Sequence, residues 1–307
     1  MPFSLSPDKI DAFISDVSAS IFCDVTPVES PHVIFLGGQP GCGKSTLRDH
    51  AARFFKGNFV HIDPDVIRPQ HPNAYMASLN PETVYAALYE DVQKCVNHLI
   101  SRSIELKFNL VIEGTLAWED VIEDRFIPFR QAGYLIHVYV IATHLRYSCA
   151  GVFKRYENDM ISGSFFPRLL EYTTQKEMYE AHLEVIDRIE KERRADEIVI
   201  FDRSPDNHRV LYPGKLPRTR KEKWAARLAP GSAVEAIKVE RNRTPTRREL
   251  CGYNNDWSFI LNSMISRREP ESIVLSRASI GYNEAFAKSF FSVAVLDKLA
   301  ALPRVYR

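Results

Sequence analysis

A chain of 307 residues with 45% apolar content has room for one large or two smaller domains around a sizeable core. Its net charge of +1 excludes a global electrostatic pull toward nucleic acid or acidic membrane, and no apolar run is long enough to span a bilayer. The five cysteines (Cys23, Cys42, Cys95, Cys149, Cys251) are scattered, which argues against a disulfide framework or a thiolate metal centre and fits a reduced, cytoplasmic setting.

Met1-Pro2-Phe3-Ser4 lacks the basic-then-apolar layout of a signal peptide. The first predicted element is a helix over 7–22: Ser6 can cap it, Pro7 suits its first position, and Ile10, Phe13, Ile14 and Val17 make an apolar stripe. A buried strand over 33–37 follows, then a glycine loop, then a helix over 44–55. The loop, Gly38-Gln39-Pro40-Gly41-Cys42-Gly43-Lys44-Ser45-Thr46, carries G-x-x-x-x-G-K-[ST]. Strand, glycine loop and helix together predict an ATP-binding P-loop. Backbone N–H groups and the helix N-terminus would hold phosphate oxygens, Lys44 would reach the β- and γ-phosphates, and Ser45 would ligate Mg²⁺. Cys42 fills a variable position and needs no chemical role.

A second strand, Phe59 to Ile62, leads into "HIDPDVIRPQHPN", so Asp63 and Asp65 should emerge at the sheet's carboxyl edge beside the phosphates. Asp65 would orient an acceptor hydroxyl and take its proton, and Asp63 would serve the metal. The competing use of either Asp is to cap the next helix. A long helix from Pro81 to about Ser103 places Glu90, Lys94, Asn97 and Ser101 on one polar face. The third strand, Leu110 to Ile112, ends in Glu113-Gly114-Thr115, and Glu113 and Thr115 would meet the acceptor. A helix over 119–132, a strand from Tyr134 to Ala142, a helix from about Leu145, a helix over 167–194 and a fifth strand over 198–201 complete the pattern. Arg155 and Arg168 flank a glycine-containing loop, and as a pair they would spread over the charge of a transferring phosphoryl group.

Alternating strands and helices predict an α/β fold: a P-loop kinase-like, doubly wound parallel sheet with helices on both faces. The expected domain runs over 1–213. Residues 214–307 are expected to form a basic linker, then a small helical extension from about Trp257. Other functions remain open on these residues. The basic stretch would suit a polynucleotide or RNA kinase, although no aromatic residues interleave it. Another small-molecule phosphotransferase also fits. A nucleotide switch lacks an N-K-x-D motif, and a motor lacks a strand ending in Asp-Glu.

Taken together, "GGQPGCGKSTLR", "HIDPDVIRPQHPN", "NLVIEGT", "KRYE" and the downstream Arg168 resemble the zeta toxin family of bacterial P-loop kinases, in order and with similar spacing over roughly residues 30–212. The resemblance implies phosphorylation of the 3′-hydroxyl of UDP-N-acetylglucosamine, which blocks supply of peptidoglycan precursors. By matching positions it implies Lys44 on the phosphates, Asp65 as base, Glu113 and Thr115 on the substrate, and Arg155 and Arg168 on the transferred phosphoryl. A protein antitoxin, or inhibition in cis by the C-terminal extension, would restrain such a toxin. One departure stands out: where the family pattern has a second substrate-facing glutamate, this chain has Asn97, which leaves the sugar nucleotide open.

Overall fold

The computed structural model describes residues 3–79, 84–118, 122–203, 210–215 and 232–284. Six strands form one sheet: β1 (His32–Gly37), β2 (Val60–Ile62), β3 (Leu110–Glu113), β4 (Leu135–Ile141), β5 (Glu197–Phe201) and β6 (Val210–Lys215). Their order is β2-β3-β1-β4-β5-β6. β1 pairs in parallel with β3 on one side and β4 on the other, so the chain winds outward both ways from it. The crevice at that switch point lies beyond the carboxyl end of β1, where the glycine loop begins.

Burial alternates with the pleat. Val33 and Phe35 enter the larger core, while Ile34 and Leu36 enter a smaller one with Leu47, Ala51 and Phe55 of α2 (Ser45–Phe55). The larger core takes the apolar faces of α1 (Pro7–Phe22), α5 (Val84–Glu105) and α8 (Tyr172–Glu192). Short helices α3 (Pro64–Ile67), α4 (Ala74–Ser78) and α6 (Ile127–Gln131) sit in the connections, α6 following a π-helical turn over Ile122–Phe126. A third core contains no strand: Cys149, Ala150 and Phe153 of α7 (Leu145–Ile161) pack on Tyr253, Trp257, Ile260 and Leu261 of α10 (Arg247–Ser266), and α11 (Glu271–Glu284) adds Val274 and Ala278.

The doubly wound α/β expectation holds, with several corrections. The sheet is not wholly parallel, because β6 runs antiparallel to β5. Pro213 and Gly214 read as chain breakers, yet an edge strand tolerates a proline. The expected boundary at 213/214 therefore falls inside β6. The helix expected over 167–194 begins only at Tyr172, since Glu171 before it is still extended at ψ 145°. Arg168 thus sits on the preceding loop. Part of the expected linker is helical: α9 (Ala233–Asn242) and α10 both start ahead of Trp257. Each opens with a capping box, Ser232 with Glu235 and Thr246 with Glu249, in which side chain and backbone satisfy each other's free groups. The expected helix starts at Pro81 and at 119, and the 216–231 part of the linker, lie outside the described residues.

Candidate active site

The glycine loop leaves β1 as predicted and enters α2 at Ser45. Gly38, Gly41 and Gly43 take φ of 137°, 76° and 102°. At Gly41 the need is steric as well, because a Cβ there would lie 2.1 Å from the Ser148 carbonyl oxygen of α7. The contact is reciprocated: a Cβ on Gly151 would lie 2.8 Å from the Gly41 carbonyl oxygen. Lys44 curls back, its Nζ donating to the Gly38 carbonyl at 2.8 Å, and Thr46 Oγ1 donates to Gly43 O at 2.7 Å. Gln39 is 1% exposed and donates from Nε2 to Thr143 O at 2.8 Å and Ser148 Oγ at 3.3 Å. Pro40 completes the loop, and Cys42 is fully buried in the smaller core.

Asp63 does cap α3: its Oδ1 accepts from the Asp65 N–H at 2.8 Å. That cap turns the Asp65 carboxylate into a group of arginines. Arg68 Nη1 donates to Asp65 Oδ1 at 2.7 Å, and Arg168 Nη1 lies 3.1 Å from Asp65 Oδ2. Arg155, on α7, is close enough to act on the same carboxylate. Burial alone would raise the Asp65 carboxyl, but the Arg68, Arg168 and Arg155 charges hold it below its ordinary value. Burial, then Glu113, then Asp65 push the Asp63 carboxyl the other way, upward. The structure thus gathers Asp65, Arg155 and Arg168, and adds Arg68, which sequence reasoning missed. Its signal was an i, i+3 spacing from Asp65.

Glu113 ends β3 and bonds His61 Nε2 at 3.0 Å from Oε1. One donor atom each from His61, Asp63 and Glu113 lies within 4.8 Å of the others. Val111 shares a face with Glu113 and packs beside Leu47 of α2, so these donors lie on the side where Ser45 opens that helix. Two carboxylates within this reach fit a hard divalent cation. Thr115 offers its carbonyl to the buried His182 of α8, whose Nδ1–H is shared with Leu116 O at 3.0 and 3.1 Å. Burial, then Arg241, hold His182 neutral with a pKa of about 3.

Asn97 is not in this group. Its neighbours Cys95, Val96, Leu99 and Ile100 are buried in the larger core, while Asn97 is exposed on the outer side of α5. Glu113 projects on the opposite side of the sheet. The polar face over Glu90, Lys94, Asn97 and Ser101 is the ordinary solvent face of an amphipathic helix. The His-Pro-Asn stretch is structural. Asn73 Nδ2 donates to Phe3 O at 2.9 Å, and the buried His71 lies 3.3 Å from Asp91 Oδ2, which also accepts the Leu5 N–H at 2.8 Å. Beside the loop, beyond the carboxyl ends of β4 and β5, a cavity of about 150 Å³ is lined by His144, Tyr147, Arg203, Arg241 and Asp256.

The zeta toxin family model matches residues 18–216, a span that holds the P-loop, the Asp63–Asp65 turn and both arm arginines. The chain belongs to the zeta toxin family. It is 36% identical over 131 residues to the toxin zeta of Enterococcus hirae, covering 42% of this chain and 46% of that one. The same identity and coverage relate it to the toxin zeta of Streptococcus pyogenes. It is 31% identical over 177 residues to the toxin PezT of Streptococcus pneumoniae serotype 4, covering 57% of this chain and 67% of PezT. The chain therefore spans about half the length of the zeta toxins it matches. Among solved structures, one from the PezAT chromosomal toxin-antitoxin system of Streptococcus pneumoniae superposes with a TM-score of 0.69 at 21% identity, covering 84% of this chain and 98% of that one. The native AvrRxo1-ORF1:-ORF2 complex gives 0.52 at 14% identity, covering 83% and 82%. At these identities the superpositions show a shared fold alone. α9, α10 and α11 lie beyond the span of the family match.

Proposed function

We propose that this chain is an ATP-dependent kinase that phosphorylates the 3′-hydroxyl of a UDP-activated amino sugar, UDP-N-acetylglucosamine or a relative, and acts as a toxin restrained by an antitoxin. The observation that carries the reading is the Asp65 carboxylate held between Arg68 and Arg168, with Arg155 beside it, at the mouth of the P-loop crevice. Asp65 would accept the proton of the acceptor hydroxyl as its oxygen bonds to the γ-phosphorus. The bond from that phosphorus to the β–γ bridging oxygen breaks, and ADP leaves. Arg68 keeps the carboxylate aimed while Arg168 turns to the equatorial oxygens, and Arg155 and Lys44 neutralise the charge that builds there. Ser45 and Asp63, with Glu113 adjoining, would hold Mg²⁺, which supplies charge neutralisation on the phosphates. Glu113 and Thr115 remain the expected contacts to the sugar nucleotide.

The polynucleotide-kinase reading loses support from the described part of the basic stretch. Arg241 is buried, and Arg243 is taken up by Glu240 and Glu249. Restraint in cis is also disfavoured, because the C-terminal helices contribute to the cores. Relatives named as parts of toxin-antitoxin systems support an antitoxin partner instead. No described helix is long and apolar enough to cross a membrane.

The test is transfer of radiolabelled γ-phosphate from Mg-ATP to a panel holding UDP-N-acetylglucosamine, other UDP-sugars and an RNA oligonucleotide. Label on a sugar 3′-hydroxyl, lost in Lys44→Ala, is the expected result. Label on RNA alone would replace the reading with the polynucleotide one.

A further inference from the structure

The helix that follows the family match reaches back into the phosphate-binding loop. Ala233, Ile237 and Arg241 recur at four-residue steps on α9 and share its inward face. Ala233 and Ile237 are fully buried in the larger core, and the α9 N-terminus is tied to α8 by the Ala233 N–H, which donates to the Glu190 carboxylate at 3.1 Å. One turn on, the same face delivers Arg241, 3% exposed, to the rim of the sheet. Its Nη1 donates to Tyr179 O at 2.9 Å, its guanidinium stacks 3.8 Å over the Tyr179 ring, and its Nη2 donates to Gln39 Oε1 at 3.4 Å.

No carboxylate bonds this guanidinium among the described residues, and burial draws its pKa down to about 10. A desolvated positive charge without a bonded anion is unfavourable unless something else at the site uses it. Gln39 is the second residue of the P-loop, and its amide is fully spoken for: Nε2 to Thr143 and Ser148, Oε1 to Arg241. The arginine therefore also decides which way round that amide stands, since a flipped Gln39 would set NH₂ against guanidinium. The Gln39 carbonyl lies 3.4 Å from Lys44 Nζ, so the amide and the phosphate-binding lysine belong to one short stretch of chain.

We infer that Arg241 is a positioning residue for the P-loop: through Gln39 it fixes the loop's first turn, so nucleotide affinity in this chain depends on a helix outside the family core. The inference rests on the kinase reading above.

Arg241→Gln, Gln39→Ala and the double variant of the full chain test it, with Mg-ATP titrated calorimetrically and thermal unfolding recorded without nucleotide. Arg241→Gln is expected to weaken Mg-ATP about tenfold, and to raise KM for ATP but not for the acceptor, with the nucleotide-free melting temperature little changed. Gln39→Ala should weaken Mg-ATP similarly, and the double variant no further, because both act through one bond. Wild-type affinity in Arg241→Gln, or fully additive losses, would overturn the inference. Should Arg241→Gln not fold, the cycle run with Arg241→Lys, which keeps the charge but not the planar fork, is read by the same two criteria. A wild-type chain that binds no Mg-ATP overturns the kinase reading along with it.

Discussion

Two aspartates separated by one proline have opposite electrostatic settings. Asp63 caps a helix, faces Glu113 and Asp65, and is pushed toward its protonated form. Asp65 faces three arginines and is held ionised. Their spacing and position at a strand end were legible in the sequence, as was the choice between a cap and a chemical role. The reading of Asp65 as base and Asp63 on the metal comes from that position; that Asp63 also caps α3 and that arginines ring Asp65 was not legible, because Arg155 and Arg168 lie some hundred residues downstream. Asp65→Asn is expected to lower phosphoryl transfer at least about 100-fold while Mg-ATP still binds; comparable turnover in single-turnover assays would move the base elsewhere. The sign of the pH effect follows from the lowered carboxyl. Its stabilisation is present above the unfolded value near 4 and is lost as pH falls through the folded value. Acid unfolding of Asp65→Asn should therefore be less steep below about pH 4 than that of wild type, as followed by circular dichroism.

Elements with strong punctuation were readable and those with mixed signals were not. β1 with its glycine loop, α2 and β4 lie within a residue or so of their predicted limits. β6 escaped notice because Pro213 and Gly214 look like breakers and only pairing with β5 makes a strand of them. The start of α10 was visible as T-x-x-E at Thr246–Glu249, but prolines and arginines nearby hid it. Glu249 there takes the Thr246 N–H at 2.7 Å and pairs with Arg243, and the Arg243 bond, against a smaller effect of burial, draws its pKa down to about 2. Glu249→Gln keeps the capping box and loses the charge facing Arg243, and is expected to destabilise the chain by about 1 kcal/mol at pH 7. The depressed pKa means this difference holds above about pH 4.5 and shrinks toward pH 2. Urea melts of both proteins at pH 7 and pH 3 check it; an equal gap at both would count against the pair.

At the scale of the whole molecule, local pattern predicted the strand order's winding but not how far the extension is built in. Val234 and Ile237 of α9 join the larger core, and Trp257, 1% exposed, centres the third one. Lys154 pairs with Asp256 at 2.6 Å, and the buried Glu157 pairs with Arg267, so α10 and the turn after it are bound to the helix that carries Arg155. The link from Arg241 to Gln39 spans 202 positions, a separation that no spacing rule in a single sequence registers. A chain cut after Lys215 should expose both cores and be recovered insoluble or protease-sensitive. A soluble truncation with a cooperative melt would show that α9–α11 are an accessory.

The backbone contact between Gly41 and α7 divides the arginine arm mechanically. The first half of α7 packs backbone to backbone against the P-loop, with no room for a side chain at Gly41 or Gly151. On the kinase reading, Arg155, one turn past Gly151, would therefore be part of the frame that the nucleotide meets. Chain reversal comes later, at Gly163, whose φ of 66° ends α7. Arg168 lies beyond that reversal; its own N–H donates to Asp159 Oδ2 of α7 at 3.4 Å, and Phe166 of the same loop is buried in the larger core. On the kinase reading, a substitution at Gly163 is therefore expected to act on acceptor turnover through Arg168 and to leave Mg-ATP affinity, read by calorimetry, as it is.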